Sequence, residues 1–159
     1  CRVDLNEIIR PDDDFIAPRA GNLQYAIFNA FICSRPNNPF LRKAIERATM
    51  LINRSGKFDG YMATGPGNLG VSMNLCLLHE EQAPHKVGEH CGAGIKYRIL
   101  DKIRGDDGTG VVADGATTVF LTKYDGYLDD LNTAGVDHWA ANKKPAGILR
   151  TAISFAKKR

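Results

Sequence analysis

The chain has 159 residues, 43% of them hydrophobic, with 21 basic against 18 acidic side chains and a formal net charge of +3. That length suits one domain with a sizeable core, so a single domain over residues 1–159 is expected. So small a charge excess gives no compositional case for a nucleic-acid partner, and no apolar run is long enough to span a bilayer.

The chain opens on Cys1 and passes directly into patterned sequence, which reads as a fragment or processed product, leaving targeting or membrane association upstream undetermined. Of the four cysteines (Cys1, Cys33, Cys76, Cys91), three sit in or beside apolar runs. That favours reduced thiols in a cytosol-like, cytoplasmic compartment over a disulfide scaffold. The closing Lys157-Lys158-Arg159 reads as a solvated tail, with contact to an acidic membrane surface as its alternative.

In chain order, an apolar patch (Leu5, Ile8, Ile9) precedes Asp12-Asp13-Asp14, giving a short helix, a loop read as a solvated acidic run, and a brief strand. The stretch "LQYAIFNAFICS" (residues 23–34) is rich in aromatic and branched residues and predicts a buried strand that stops at Arg35-Pro36. Asn38 then offers an N-cap, with Pro39 at the first helical position. Leu41, Ile45, Ala48 and Ile52 recur on one helical face, leaving Arg42, Lys43, Glu46 and Arg47 to water, and Gly56 supplies a stop.

A second helix is expected from Pro66 to near Glu80, with Leu69, Met73, Cys76 and Leu77 as its apolar stripe. Residues 82–95 read as irregular. Strands are expected in "KYRILDKI", "TGVVA" and "TTVFLT", separated by Gly105-Asp106-Asp107-Gly108 and by the hairpin signal Asp114-Gly115. The tail from Thr133 mixes loop and helix character, and "AGILRTAISFAKK" has the pattern of an amphipathic helix.

Gly65-Pro66-Gly67-Asn68-Leu69-Gly70 satisfies G-x-G-x-x-G. A dinucleotide cradle needs a strand before the motif, and "SGKFDGYMA" makes a poor one, so that reading is set aside. Two readings of this helix entrance remain. Either the amides of Gly67, Asn68 and Leu69, with the Thr64 hydroxyl, face a polar or anionic substrate, or Thr64 or Gly65 merely caps a core helix.

Four pieces, "DLNEII", "FNAFICSRPNNPFLRKAI", "ATGPGNL" and "YLDDLNTAGVDHWA", occur in an order that resembles the glycosyltransferases with a DXD sugar-binding region, the initiation-specific α-1,6-mannosyltransferase-like group. The resemblance covers roughly Asp4 to Ala140. It implies an α/β fold: the C-terminal part of a GT-A-type (Rossmann-like) domain, a mixed sheet with flanking helices. It also implies that the Asp-x-Asp segment and the nucleotide-binding half lie upstream, so that the 159 residues alone are inactive.

The implied activity moves a hexose from a nucleotide-sugar donor to a saccharide or lipid acceptor with retained configuration, assisted by Mn²⁺ or Mg²⁺ as Lewis acid. On this reading His138 contributes to the metal–diphosphate site and Trp139 covers it; the alternative is a surface histidine beside an anchoring tryptophan. Asn29, Thr64, Gly65 and Pro66 would line the substrate cleft, with a structural hydrogen bond as the other reading of Asn29. The chain departs from many relatives after this point, with "ANKKPAG" where a further Ser-Trp is common; Lys143 or Lys144 facing the diphosphate is weighed against solvated lysines.

From ligand types alone, a zinc-binding module built on Cys76, His79, His85, His90 and Cys91 is the rival. A carboxylate-pair hydrolase using Asp106, Asp107, Asp125, Asp129 or Asp130 is the third possibility, but these residues mostly sit beside turn glycines and nothing pairs two of them.

Overall fold

The computed structural model describes residues 3–21, 23–54, 59–104, 110–122 and 126–134. By its internal contacts the chain forms two units, Cys1–Lys123 and Tyr124–Arg159. In the second, the described element is a helix, Tyr127–Thr133 (α5), whose Asp129 and Asp130 lie in the first turn, where the helix dipole favours carboxylates. The stretch 146–158 expected as a terminal helix, the loop 105–108 and Asp125 lie outside the described residues.

The first unit is a curled mixed α/β sheet with flanking helices. Its strands are Phe15–Pro18 (β1), Cys33–Ser34 (β2), Gly88–Gly92 (β3), Ile95–Arg104 (β4), Gly110–Asp114 (β5) and Thr117–Leu121 (β6), and its helices are Leu5–Ile8 (α1), Pro39–Arg54 (α2), Gly60–Ala63 (α3) and Pro66–Cys76 (α4). The sheet runs β2-β1-β4-β5-β6, with β3 also paired to β4. Among the described residues only β1 and β4 are parallel, in register from Phe15↔Tyr97 to Pro18↔Leu100; the other pairs are antiparallel.

Strand periodicity divides the core in two. Phe15, Ala17, Tyr97 and Ile99 face α2 and α4, where they meet Ile27, Phe40, Leu69 and Met73. Phe40 stands edge-on to both Phe15 and Tyr97, at centroid separations of 5.4 and 5.3 Å. Ile16 and Leu100 point the other way, toward Ile8, Val112 and Val119. With both faces covered, all four β1 residues are buried.

Arg98 also points to that second face and is buried. Its guanidinium lies 2.7 Å from the Asp13 carboxylate, pairs with Asp114 and donates to the Ile8 carbonyl. The acidic run is therefore not simply solvated. Asp12 is exposed and pairs with Lys96, Asp13 is buried against Arg98, and Asp14 accepts from the Lys96 amide at 2.8 Å. Three consecutive carboxylates thus bind alternate residues of β4, because strand alternation brings Lys96 and Arg98 opposite them.

The expected strand over residues 23–34 is broken. The segment does return along β1: Ile27 bridges Arg19, Phe28 donates to Pro18, and Cys33 pairs with Ile16. Two steps on β1, from Pro18 to Ile16, are matched by five on the returning chain, from Phe28 to Cys33. The surplus forms a bulge at Asn29-Ala30-Phe31, so regular pairing survives only as β2.

α2 begins as expected: the Asn38 side chain accepts from the amides of Phe40 and Leu41. Its core face is different. Phe40, Leu41 and Ala44 pack inward, and Ala44 O accepts from the Asn68 side chain on α4 at 2.8 Å. Ile45, one residue beyond Ala44, is turned about 100° away and is 67% exposed, as Ile52 is 45% exposed. Arg47 is half-buried rather than solvated.

α4 starts at Pro66 as expected but ends at Cys76 rather than near Glu80. Leu78 adopts φ +59°, the His79 amide bonds Asn74 O at 2.9 Å and the Leu78 amide bonds Leu75 O. This is a Schellman closure with leucine where glycine is usual. Every residue from Gly67 to Asn74 is buried, so α4 is enclosed on all sides rather than along one stripe. Asn74 Nδ2 donates to Glu81 O and Ala83 O, at 3.0 and 2.9 Å, while its Oδ1 is buried without a hydrogen-bond partner among the described residues.

Residues 82–95 are not wholly irregular. β3 pairs with β4 through a tight turn at Ala93-Gly94, both at positive φ as a type I′ hairpin requires. The Asp114-Gly115 signal does mark a hairpin, with Asp114 paired to Thr117.

Two stability outcomes follow from this packing. Arg98→Met leaves Asp13 buried without its counter-ion and is expected to cost about 3–5 kcal/mol in denaturant titrations, while adding Asp13→Leu recovers a substantial part of that loss. Gly70→Ala ordinarily gains about 0.5–1 kcal/mol inside a helix. Here its Cβ would lie 1.9 Å from Tyr25 O, so the sign reverses and a loss of about 1–3 kcal/mol is expected by the same assay.

Candidate functional site

In α/β sheets, ligands gather beyond the carboxyl ends of parallel strands. The chain leaves the end of β1 at Arg19, whose Nε lies 3.1 Å from Asp101 Oδ1 on β4. It loops through residues 20–26, closed by Ala20 N–H donating to Ala26 O at 2.7 Å. It returns between β1 and α4: the Phe28 amide donates to Pro18 O at 2.7 Å and the Ile27 amide to Pro66 O at 3.1 Å. Asn29 follows two residues later. This path ties Ile27, two residues before Asn29, to Pro66 of the Thr64-Gly65-Pro66 turn, and Asn29 itself lies beside β1 just past Pro18.

Asn29 is exposed in the bulge rather than buried in a strand, because the five-against-two mismatch ejects it. Thr64 is exposed as well, and its hydroxyl donates to Gly60 O at 3.2 Å, leaving the oxygen lone pairs for an outside donor. Gly65 occupies the N-cap, without a side-chain bond, of a helix buried from Gly67 to Asn74, so the capping alternative holds for Gly65 and not for Thr64. Gly67, Asn68 and Leu69 are buried, and the Leu69 amide bonds Gly65 O at 3.3 Å. The exposed polar group of the turn is the Thr64 hydroxyl.

Tyr61 and Met62 cover the helix entrance. A Cβ on Gly67 would meet Met62 Sδ at 2.6 Å and the Tyr61 ring at 3.0 Å. The Tyr25 hydroxyl donates to Met62 Sδ at 3.4 Å. Burial first, then the neighbouring Tyr25 and Asp59, push the Tyr61 phenol above its ordinary pKa, so it remains a hydrogen-bond donor at neutral pH. The motif glycines are thereby explained by close packing: Gly65 and Gly67 against α3, Gly70 against Tyr25 O. The element preceding the motif is a helix, α3, which no dinucleotide cradle has.

Tyr25, Tyr61 and the Arg19–Asp101 pair were not singled out from the sequence. Tyr61 lies four residues before the glycine motif, within reach of a local reading; Arg19 and Asp101 are 82 residues apart, and no local pattern joins them. Lys102 lies over the Phe28 ring at 3.7 Å, adding a cation to this end of the sheet. His138, Trp139, Lys143 and Lys144 lie outside the described residues.

Of the five zinc candidates, Cys76, His85 and His90 have separate contacts, His85 with Gly70 O. Cys76 Sγ lies 3.6 Å from Pro39 O, His79 and Cys91 are exposed, and His90 stacks on Tyr97 with Nε2 2.8 Å from Lys86 O. Among the described residues no three His, Cys, Asp or Glu side chains are grouped to hold a metal. Burial raises the thiol pKa of Cys76 and, with help from the Asp13 charge, that of Cys33, so both are neutral thiols at physiological pH.

A hollow of about 470 Å³ lies at the opposite, amino end of β1, lined by Arg10, Asp13, Ile16, Cys33 and Arg35 among others. Its charged groups are committed within the protein: Arg10 to Glu89, Arg35 to Asp14 and Asp13 to Arg98. The carboxyl end of β1 is the better candidate, since its hydroxyl and amide groups face outward with capacity to spare. Compared with family models, curated proteins and solved structures, the chain matches none.

His85 holds the loop that carries Tyr25. It is buried, its Nε2 lies 3.2 Å from Gly70 O, and its amide donates to Gln24 O at 3.0 Å. Burial depresses the imidazole pKa, outweighing the carbonyl contacts that oppose it. The unfolded chain takes up this proton at about pH 6.5 while the folded state resists it. The His85 contribution is therefore complete above that pH and is lost as pH falls from there toward the lowered folded value. Unfolding titrations between neutral and mildly acidic pH should show this loss, and His85→Gln should flatten it.

Proposed function

We propose that this chain forms one wall of the sugar-transfer cleft of a GT-A-type glycosyltransferase, acting on a nucleoside-diphosphate hexose and a saccharide or lipid acceptor. The observation that supports the reading is the hydrogen bond from Ile27 to Pro66, which ties the segment leading into the Asn29 bulge to the turn that holds Thr64. Those are the residues to which the ordered motifs assign the cleft.

In the transfer, the bond from the anomeric carbon to the diphosphate breaks, a bond to the acceptor oxygen forms, and the acceptor hydroxyl gives up its proton. The described residues bind and orient. With its proton directed at Gly60 O, the Thr64 oxygen is an acceptor for a sugar hydroxyl. The Asn29 amide offers both donor and acceptor, and the Tyr61 phenol is a donor. The half-buried rings of Tyr25 and Tyr61 present apolar edges against which a pyranose can rest.

When bound, Mn²⁺ or Mg²⁺ would neutralise charge on the departing diphosphate. The resemblance assigns its ligands to His138 and to carboxylates upstream. Trp139 would exclude water. Donor sugar and acceptor follow from residues that this end of the sheet does not specify.

Amide chemical-shift mapping tests the reading. A panel of nucleoside-diphosphate hexoses with Mn²⁺, and of simple saccharides, should shift residues 28–30 and 61–66. The paired substitution Asn29→Ala with Thr64→Val should abolish those shifts while leaving the melting temperature unchanged. Shifts confined to other surfaces, or none with any ligand, remove the proposal.

A further inference from the structure

Two irregular segments meet on α4: the loop 20–26 beyond β1 and the stretch 82–87 before β3. Neither buries much. From 82 to 87 His85 is the buried residue, with Pro84, Lys86 and Val87 exposed around it; in the loop Ala26 is buried while Gly21, Leu23 and Gln24 are exposed. His85 joins the two segments to the helix. Its amide donates to Gln24 O at 3.0 Å, and its Nε2 lies 3.2 Å from the carbonyl of Gly70, the glycine that leaves room for Tyr25 O.

The ends of this stretch are held separately. Asn74 Nδ2 fastens Glu81 O and Ala83 O to the end of α4, and β3 begins at Gly88, whose φ of +116° suits glycine. Residues 84–87 thus span two fixed points, with His85 as their inward contact. The β1–β4 pair does not depend on them, since the Asp13–Arg98 clamp lies on the other face of the sheet.

The polar groups facing the imidazole are the Gly70 carbonyl on α4 and the Tyr25 carbonyl in the loop. The titratable groups whose charge it feels are His79, just past α4, and His90 on β3, which lies 2.8 Å from Lys86 O. Among the described residues no carboxylate acts on it. A second proton on the seated ring would be buried without a counter-ion and beside two further imidazoles, so the ring must leave its seat to accept one.

We propose that His85 is a proton-sensitive latch: on protonation it swings out with residues 84–87 and frees the Tyr25 loop from α4, while the β1–β4 pair stays folded. The latch stands on these contacts and does not rest on the glycosyltransferase reading; where that reading holds, it governs whether Tyr25 stands at the rim of the cleft.

Residue-resolved amide hydrogen exchange of the full chain, from neutral pH down to about pH 5 and corrected for intrinsic rates, tests it. Protection of the His85 amide should fall about tenfold per pH unit below about 6.5, down to the folded-state value of the ring. In low denaturant its exchange should be nearly independent of denaturant, the mark of a local opening, whereas amides of the β1–β4 pair follow global unfolding steeply. His85→Gln, uncharged throughout and still able to donate to Gly70 O, should hold protection at position 85 constant across the range. Exchange at His85 as steeply denaturant-dependent as that of β1–β4, protection that does not fall with acid, or an equal fall in His85→Gln would each overturn the proposal. The first two outcomes are read in the unsubstituted chain and decide the matter even where the variant does not fold.

Discussion

The sheet depends on charge meeting charge inside it. Among the described residues β1 and β4 are the only parallel pair, and parallel strands cannot be joined by a short turn. Here β1 is held to β4 by an acidic run that reaches across to Lys96 and Arg98. The Arg98 guanidinium is buried, and burial of an ion is costly unless its partners are in place. Asp13, Asp114 and the Ile8 carbonyl meet that need from three elements: the loop before β1, the end of β5 and the end of α1. One side chain therefore fixes the register of β1 and ties the N-terminal helix and the β5–β6 hairpin to the same face. Two atoms of the pair, Asp13 Oδ1 and Arg98 Nε, are buried without partners among the described residues, so the clamp serves geometry more than net stability.

Legibility in the sequence followed the range of the interaction. Local signals were read correctly where the chemistry is local: Asn38-Pro39 caps α2, Pro66 opens α4, and Asp114-Gly115 turns between β5 and β6. Two failures are local: the early end of α4 at a left-handed Leu78 and the β3–β4 hairpin turning at Ala93-Gly94, where leucine and alanine stand in place of the usual turn residues. The others involve partners distant in the chain. "LQYAIFNAFICS" has strand composition, but the bulge at Asn29 is set by its register against β1. The stripe of α2 was placed on Ile45 and Ile52 because spacing alone cannot distinguish a core face from an adjacent one; the Ala44–Asn68 contact decides it. The Asp12-Asp13-Asp14 run looks like a solvated loop until Arg98 is brought against it. At the candidate site, the Thr64 turn was legible from its glycines and proline, whereas the covering role of Tyr61 and Met62 required the fold of α3 onto α4.

The glycine pattern shows how one spacing can serve unrelated ends. In a dinucleotide fold the three glycines admit a pyrophosphate and a helix. Here they admit the Tyr61 backbone, a methionine side chain and the carbonyl of Tyr25. The consequence for function is a narrow one. The helix entrance is closed by protein, and what remains outward is a rim of hydroxyl, amide and phenol groups. On the proposed reading such a rim would meet the hydroxyl groups of a sugar, and the charge of a diphosphate would be met elsewhere.

The distance along the chain between Asp13 and Arg98, 85 residues, also governs the order of assembly. A chain emerging from the ribosome presents β1 long before the strand it must pair with exists. Until β4 appears, Phe15-Ile16-Ala17-Pro18 has only the bulged return segment beside it, and a large loop must close before the pairing repays its entropy. The α2–α4 pair, whose contacts lie close in sequence, can form meanwhile and offer Phe40 and Met73 as a surface on which the late strands are received.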